Sequence, residues 1–143
     1  MKKLVIILTL LFCFSCDPMN DKMSFYNNSD SDVYVRMLFF QDTAITGTMA
    51  GLRDVKAREI EEIGKLYSWE SEFEDAKNDS LCVVVYQGYD FLNDPYEQSN
   101  KIKSDSLLNI GDFKYKKYTI KDFEKKKWRV TYPNDGFKDG KFR

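Results

Sequence analysis

Leu81-Cys82-Val83-Val84-Val85-Tyr86 decides the fold of this chain. The stretch is apolar throughout and rich in β-branched residues, which is typical of a strand covered on both faces of a sheet. Cys82 lies inside this run and is predicted to pack as a small buried side chain. A reactive thiol is not expected here, because the chain contains no histidine to activate it.

A second strand is predicted over residues 33–40, because this segment has period-two character. One face would carry Val33, Val35, Met37 and Phe39, and the other Tyr34, Arg36, Leu38 and Phe40. Shorter strands are predicted at residues 24–27, 113–118 and 128–132. Residues 55–63 fit either a charged edge strand or a helix, since Ile60 and Ile63 have helical spacing. Gly47 and Gly51 predict a loop or a broken strand, and residues 66–73 are predicted to form a loop or one helical turn. A turn is predicted at residues 93–95, followed by a long polar loop up to Asp105.

A short helix is predicted to follow Thr119, a favourable N-cap, with Asp122 placed to complete an acidic capping box. The chain is therefore predicted to be all-β, an antiparallel β-sandwich over residues 25–133 with one short helix near the C-terminus. Immunoglobulin-like and transthyretin-like builds both fit the strand spacing. Residues 134–143 are predicted to be a polar, frayed tail.

The N-terminus has the layout of a secretory signal: Lys2 and Lys3, an apolar run over residues 4–14, and Ser15 before Cys16. The run is too short to span a bilayer, which needs about 20 apolar residues. The pattern resembles a lipoprotein signal, in which the Cys16 thiol is acylated, for example with palmitate, and becomes the new N-terminus. Residues 1–15 would then be the signal peptide and residues 16–24 a tether. An uncleaved signal anchor, or ordinary cleavage beside an unmodified Cys16, are the alternatives.

Charge is unevenly distributed along the chain, although its formal total is only −1. Residues 17–113 carry nine basic and nineteen acidic residues, and residues 114–143 carry eleven basic and four acidic residues. The near balance of the whole chain argues against a nucleic-acid partner. The basic C-terminal part is either a patch for an anionic partner, such as lipid headgroups or glycan, or a segment that lies against acidic loops of the same domain.

Catalytic chemistry finds little support in the sequence. The absence of histidine excludes a Ser-His-Asp triad, a Cys-His pair and histidine-based metal sites. Carboxylates are numerous between residues 59 and 75, but segments this charged are typical of solvated faces. The oxygen spacing of Asn28, Asp30 and Asp32 fails as an EF-hand, since Val33 and Phe39 replace the required glycine and glutamate. No catalytic residue, metal or cofactor is predicted.

Aromatic side chains offer the main candidates for ligand binding. Tyr67 and Trp69 are predicted as a platform for sugar or peptide, and Tyr86, Tyr89, Phe91 and Tyr96 form a second group. Packing within the core and loops is the alternative for both groups. Two functions are therefore kept: a lipid-anchored, non-catalytic interaction module of the cell envelope, and a carbohydrate-binding or carbohydrate-processing envelope protein.

The C-terminal block from Lys117 to Pro133, KYTIKDFEKKKWRVTYP, resembles the ending of small lipoproteins of Bacteroidota. Asn27-Asn28-Ser29 before the strand at Val33 is similar to their N-terminal pattern. The resemblance implies a lipid anchor at the outer membrane, on its periplasmic side or at the cell surface, and no particular activity. Asp42-Thr43-Ala44, Asp79-Ser80-Leu81 and Asp105-Ser106-Leu107 match the O-glycosylation sequon of that phylum, which makes Thr43, Ser80 and Ser106 candidate sites. Ordinary turn chemistry is the alternative.

Overall fold

A computed structural model of the chain describes residues 20–41, 44–65, 68–75, 80–91 and 98–140. The strands are β1 (Asn20–Asn27), β2 (Val33–Gln41), β3 (Ala44–Val55), β4 (Ile60–Lys65), β5 (Ser80–Gln87), β6 (Lys114–Tyr118), β7 (Arg129–Tyr132) and β8 (Lys138–Asp139). The helices are α1 (Trp69–Asp75), α2 (Gln98–Ile110) and α3 (Ile120–Lys125). The described part is therefore mostly β, but it holds three helices where one was predicted.

The strands form two sheets. A five-stranded sheet has the order β3-β2-β5-β6-β8, and a three-stranded sheet has the order β4-β1-β7. The described pairs are antiparallel except for β1 and β7, which run parallel with Ser24 opposite Arg129. The prediction of a wholly antiparallel sandwich was wrong at this pair, because β7 follows α3 and enters the sheet beside β1 in the same direction.

Strand β5 occupies the centre of the larger sheet, as predicted, and is buried from Leu81 to Tyr86. Its Leu81, Val83 and Val85 side chains join a core between the two sheets. The predicted division of β2 into two faces is confirmed, since Val33, Val35, Met37 and Phe39 all belong to this core. Two sheets packed over one apolar core make a sandwich-like arrangement.

Helix α2 covers the opposite face of the five-stranded sheet. A second core joins Leu107 of α2 to Cys82 and Val84 of β5. The prediction of a long polar loop was wrong from Gln98 to Asp105, where the chain is helical. The helix packs against the sheet mainly through polar groups, so its sequence has no apolar stripe. Its buried residues are Asn100, Ser104 and Leu107, and buried Arg36 of β2 donates to Ser104 Oγ at 2.8 Å and to Asp105 at 2.5 Å.

Several boundaries differ from those expected. Strand β1 begins at Asn20, inside the segment predicted as a tether. Gly47 and Gly51 lie within the continuous strand β3. The ambiguous segment contains β4, an edge strand, in which outward-facing Ile60 is half exposed.

The segment predicted as a frayed tail adds β8 to the larger sheet. Gly140 donates its backbone N–H to Phe113 at 2.9 Å, and a Cβ at this position would lie 1.8 Å from the Gly111 oxygen. Glycine is therefore what allows these two loops to approach each other closely.

Candidate functional site

Three of the predicted site residues, Cys16, Thr43 and Tyr67, lie outside the described residues. Trp69 is described, and its side chain is fully buried. Its ring lies 6.3 Å from that of Trp128 between centroids, within the core. Trp69 therefore packs in the interior, which agrees with the alternative of core packing and contradicts a role for this ring in a platform for sugar or peptide. Burial of a large aromatic ring in a core between two sheets stabilises the fold, because it removes much apolar surface from water.

The second aromatic group divides between core and surface. Tyr86 and Phe91 are buried beneath α2, with ring centroids 5.7 Å apart, and burial raises the pKa of Tyr86 to about 12. Tyr89 is half-buried, and its hydroxyl donates to Asp112. Tyr96 lies outside the described residues.

Cys82 is buried in β5 as a free thiol, which agrees with its predicted packing role. Burial raises its pKa to about 12. A thiol with this pKa is almost fully protonated at neutral pH and is a poor nucleophile.

The candidate glycosylation residues that the structure describes lie in regular elements. Ser80 is the half-buried first residue of β5 and pairs with Phe40. Ser106 is exposed on α2, and its hydroxyl donates to the carbonyl of Ile102 at 3.0 Å. Both neighbours of Ser106 in this sequon contact other parts of the domain. Asp105 forms an ion pair with Arg36, and Leu107 is buried. An enzyme that reads Asp105 and Leu107 would therefore need the chain before it folds.

Basic and acidic segments meet at one end of the sandwich. The acidic helix α1 places Phe73 against Phe123 of the basic helix α3, with centroids 6.3 Å apart. Lys22 of β1 links α1 to the residue before β7, because it pairs with Glu70 and its ammonium lies 3.7 Å from the centroid of the Trp128 ring. The C-terminal lysines Lys114 and Lys126 form ion pairs with Asp139 and Asp135, which lie in the same C-terminal part.

Asp135 organises the C-terminal block. Its carboxylate is only 7% exposed and accepts hydrogen bonds from the Tyr118 hydroxyl at 2.7 Å, Lys126 at 2.6 Å and the Thr131 backbone at 3.0 Å. These contacts hold the pKa of Asp135 below its ordinary value against the opposing effect of burial. Burial, together with the hydrogen bond to Asp135, raises the pKa of Tyr118. The capping box of Thr119 and Asp122 is present at the start of α3 in the same block.

Two concave surfaces flank β8. A groove of about 460 Å³ is lined by polar and apolar groups: Val85, Gln87, Tyr89, Gly111, Asp112, Phe113, Lys114 and Asp139. A smaller cavity of about 210 Å³, here named the lysine pocket, is lined by Tyr115, Lys116, Lys117 and Lys138. The sequence showed an excess of cations near the C-terminus. It did not show that β8 would place Lys138 beside the lysines of β6.

The loop that carries Asn28, Asp30 and Asp32 is held by cations of this chain. Arg58 donates to Asp30 at 2.5 Å and Lys56 donates to Asp32 at 3.0 Å, while the Ala57 N–H also binds Asp32. Among the described residues no group of three or more cysteine or carboxylate side chains is placed to hold a metal ion. Within the same residues no helix has the length and apolar character needed to cross a membrane.

Comparison with protein families, with curated proteins and with solved structures returned no match.

Proposed function

We propose that this chain is a lipid-anchored protein of the cell envelope that acts as a non-catalytic interaction or accessory module. The observation that carries the proposal is the position of Cys16, directly after a segment with the sequence layout of a secretory signal and four positions before β1 begins at Asn20. Four residues span at most about 14 Å. An acylated Cys16 would hold the sandwich close to the membrane, at the outer membrane on its periplasmic side or at the cell surface.

A non-catalytic role is supported by the state of the reactive groups that are described. The Cys82 thiol is buried, and Asp135 is engaged by three donors. The chain also lacks histidine, the commonest general base. We expect the partner to be a protein or a glycan, with the membrane as the site of attachment.

Metabolic labelling with a palmitate analogue tests the anchor. The wild-type chain should be labelled and should partition into detergent, and Cys16→Ala should lose both properties. Cys13→Ala and Cys82→Ala are matched controls that each remove one of the other two cysteines and should keep the label. Equal labelling of Cys16→Ala and wild type would reject the proposal.

A carbohydrate-binding or carbohydrate-processing role is the second candidate, now supported by the 460 Å³ groove rather than by Trp69. Tyr89, Gln87 and Asp112 line this groove and offer hydroxyl, amide and carboxylate groups. Glycan-array binding that Tyr89→Phe reduces and Tyr26→Phe leaves unchanged would support this role. Absence of binding by the folded wild type would reject it.

The finer assignment of the fold belongs to the same proposal. The two sheets and the core between them support an immunoglobulin-like or transthyretin-like build. The parallel β1–β7 pair and the α2 layer are the features that either assignment has to accommodate.

A further inference from the structure

The smaller sheet has one side that faces away from the core. Met23 and Phe25 of β1 are buried in the core, so the alternate residues Ser24 and Tyr26 point to the other side. Their ladder partners on β4 and β7 lie on that side too. We define the outer face by these six residues: Ser24, Tyr26, Ile60, Glu62, Arg129 and Thr131. Its members on the two edge strands are exposed, except for half-buried Thr131, so the face is open to solvent.

Cations gather where the outer face meets the turn after α3. A concave surface of about 340 Å³ at this point is lined by six residues: Lys22, Ser24, Glu62, Lys126, Lys127 and Arg129. Two of its cations are already paired, Lys22 with Glu70 and Lys126 with Asp135. Lys127 and Arg129 are exposed and form no ion pair with a described carboxylate. The charge of these two side chains is therefore available to a ligand, with the Glu62 carboxylate on the same surface.

The segment that follows Cys16 enters the domain beside this face. Strand β1 is the central strand of the smaller sheet and begins four positions after Cys16, within at most about 14 Å. The Ser24 N–H donates to the Trp128 carbonyl at 2.9 Å, which places residues 127–129 directly beside β1. Helix α2 lies beyond the larger sheet, about 20 Å from β1, since packed sheets are about 10 Å apart and a helix adds a similar distance. A tether this short brings the outer face closer to a membrane than α2.

We propose that the outer face is the surface with which the anchored domain lies on the membrane, and that Lys127 and Arg129 bind the phosphate groups of anionic lipid headgroups there. This inference rests on the lipid anchor proposed above. Each cation near an anionic membrane surface strengthens binding about fivefold. Ile60, which is 51% exposed, and Tyr26 add apolar and aromatic surface of the kind that favours the membrane interface.

The charge of α1 supports this orientation over one in which the end of the sandwich faces the membrane. Helix α1 lies at the end where β1 begins, because Lys22 pairs with Glu70. The helix has four acidic residues, including exposed Glu74, and no basic residue. An anionic surface repels that end and attracts the cations of the outer face.

Paramagnetic relaxation from the headgroup region tests the orientation. The mature chain is coupled through the Cys16 thiol to a maleimide lipid, since Cys82 is buried, and is held in nanodiscs that contain phosphatidylcholine, phosphatidylglycerol and a gadolinium-chelate lipid. Amide resonances of Ser24 and Arg129 should be broadened more strongly than those of Lys101 and Lys103 on α2. The difference should shrink in nanodiscs without phosphatidylglycerol and at high salt.

Variants assign the effect to the two cations. Lys127→Gln/Arg129→Gln should lower the ratio of membrane-bound to free orientations by about 25-fold. Lys101→Gln/Lys103→Gln makes the same change in charge on exposed positions of α2 and should change the ratio by less than about twofold. Glu62→Gln should raise the ratio by about fivefold, because it removes a carboxylate from the same surface. Circular dichroism confirms that each variant is folded.

Coupling through the maleimide separates this test from the test of the anchor. Equal palmitate labelling of wild type and Cys16→Ala rejects the anchor, whatever the nanodiscs show. The orientation is overturned, with the anchor intact, if α2 is broadened as strongly as the outer face in the presence of phosphatidylglycerol. It is also overturned if the two double variants lower the ratio equally.

Discussion

Asp135 provides a direct test of what holds the C-terminal block together. Replacement by alanine removes the acceptor of three hydrogen bonds and leaves the Tyr118 hydroxyl and the Thr131 N–H without their partner. Leaving a buried donor unsatisfied costs about 1–3 kcal/mol. With two such donors, Asp135→Ala should lower the free energy of unfolding by about 2–6 kcal/mol. Asp135→Asn keeps one oxygen for Tyr118 and Thr131, loses the charge that faces Lys126, and should cost about 1–2 kcal/mol.

Asp139 is the matched control, because it also pairs with a lysine but is 87% exposed. An exposed pair contributes about 0–1 kcal/mol, so Asp139→Ala should have little effect. Urea unfolding followed by circular dichroism and tryptophan fluorescence measures all three variants. Similar losses for Asp135→Ala and Asp139→Ala would refute this account of the block.

The Asp135 carboxylate should also make the stability of the domain depend on pH. The folded-state pKa of Asp135 is lowered, so its contribution is present above the ordinary pKa of an aspartate and is lost as pH falls through the folded value. Unfolding free energy should therefore decrease more steeply below about pH 4 in wild type than in Asp135→Asn. Parallel curves for the two proteins would show that Asp135 is not a source of the acid sensitivity.

Other predictions concern single side chains. Trp69→Ala should cost about 3–5 kcal/mol in urea unfolding, because it empties a fully buried site; an unchanged stability would mean that the ring is not in the core. Lys127→Gly should be neutral or stabilising by up to about 1 kcal/mol, since Lys127 has φ 52°, whereas Lys125→Gly in α3 should destabilise by about 0.5–1 kcal/mol. Cys82 should react with a thiol reagent at pH 8 only after unfolding, and rapid native-state reaction would contradict its burial. Arg36→Ala should loosen α2, which hydrogen exchange of the helix amides would detect against unchanged exchange in β1.

The elements that the sequence predicted well are those whose burial is apolar. The run at Leu81 and the alternation after Val33 each follow directly from which face of a strand meets a core. Helix α2 was not predicted because two of its three buried residues, Asn100 and Ser104, are polar, and Leu107 is the third. Its apolar Ile102 and Ile110 are exposed, so the usual periodicity points away from the core.

The candidate sites were less predictable for a related reason. An aromatic residue in a charged segment, such as Trp69, has the same local pattern whether it faces solvent or closes a core. The lysine pocket depends on the pairing of Tyr115 with Lys138, which are distant in the chain. Register between strands of this kind is set by tertiary packing, and local spacing does not report it.

The parallel pair of β1 and β7 also constrains when the domain can fold. Ser24 finds its ladder partner only at Arg129, near the end of the chain, and until then β1 has β4 alone beside it. A two-stranded ribbon is at best marginally stable in water. A polypeptide that lacks its last strands therefore cannot complete the smaller sheet, and it leaves Val130 and Tyr132 out of the core between the two sheets.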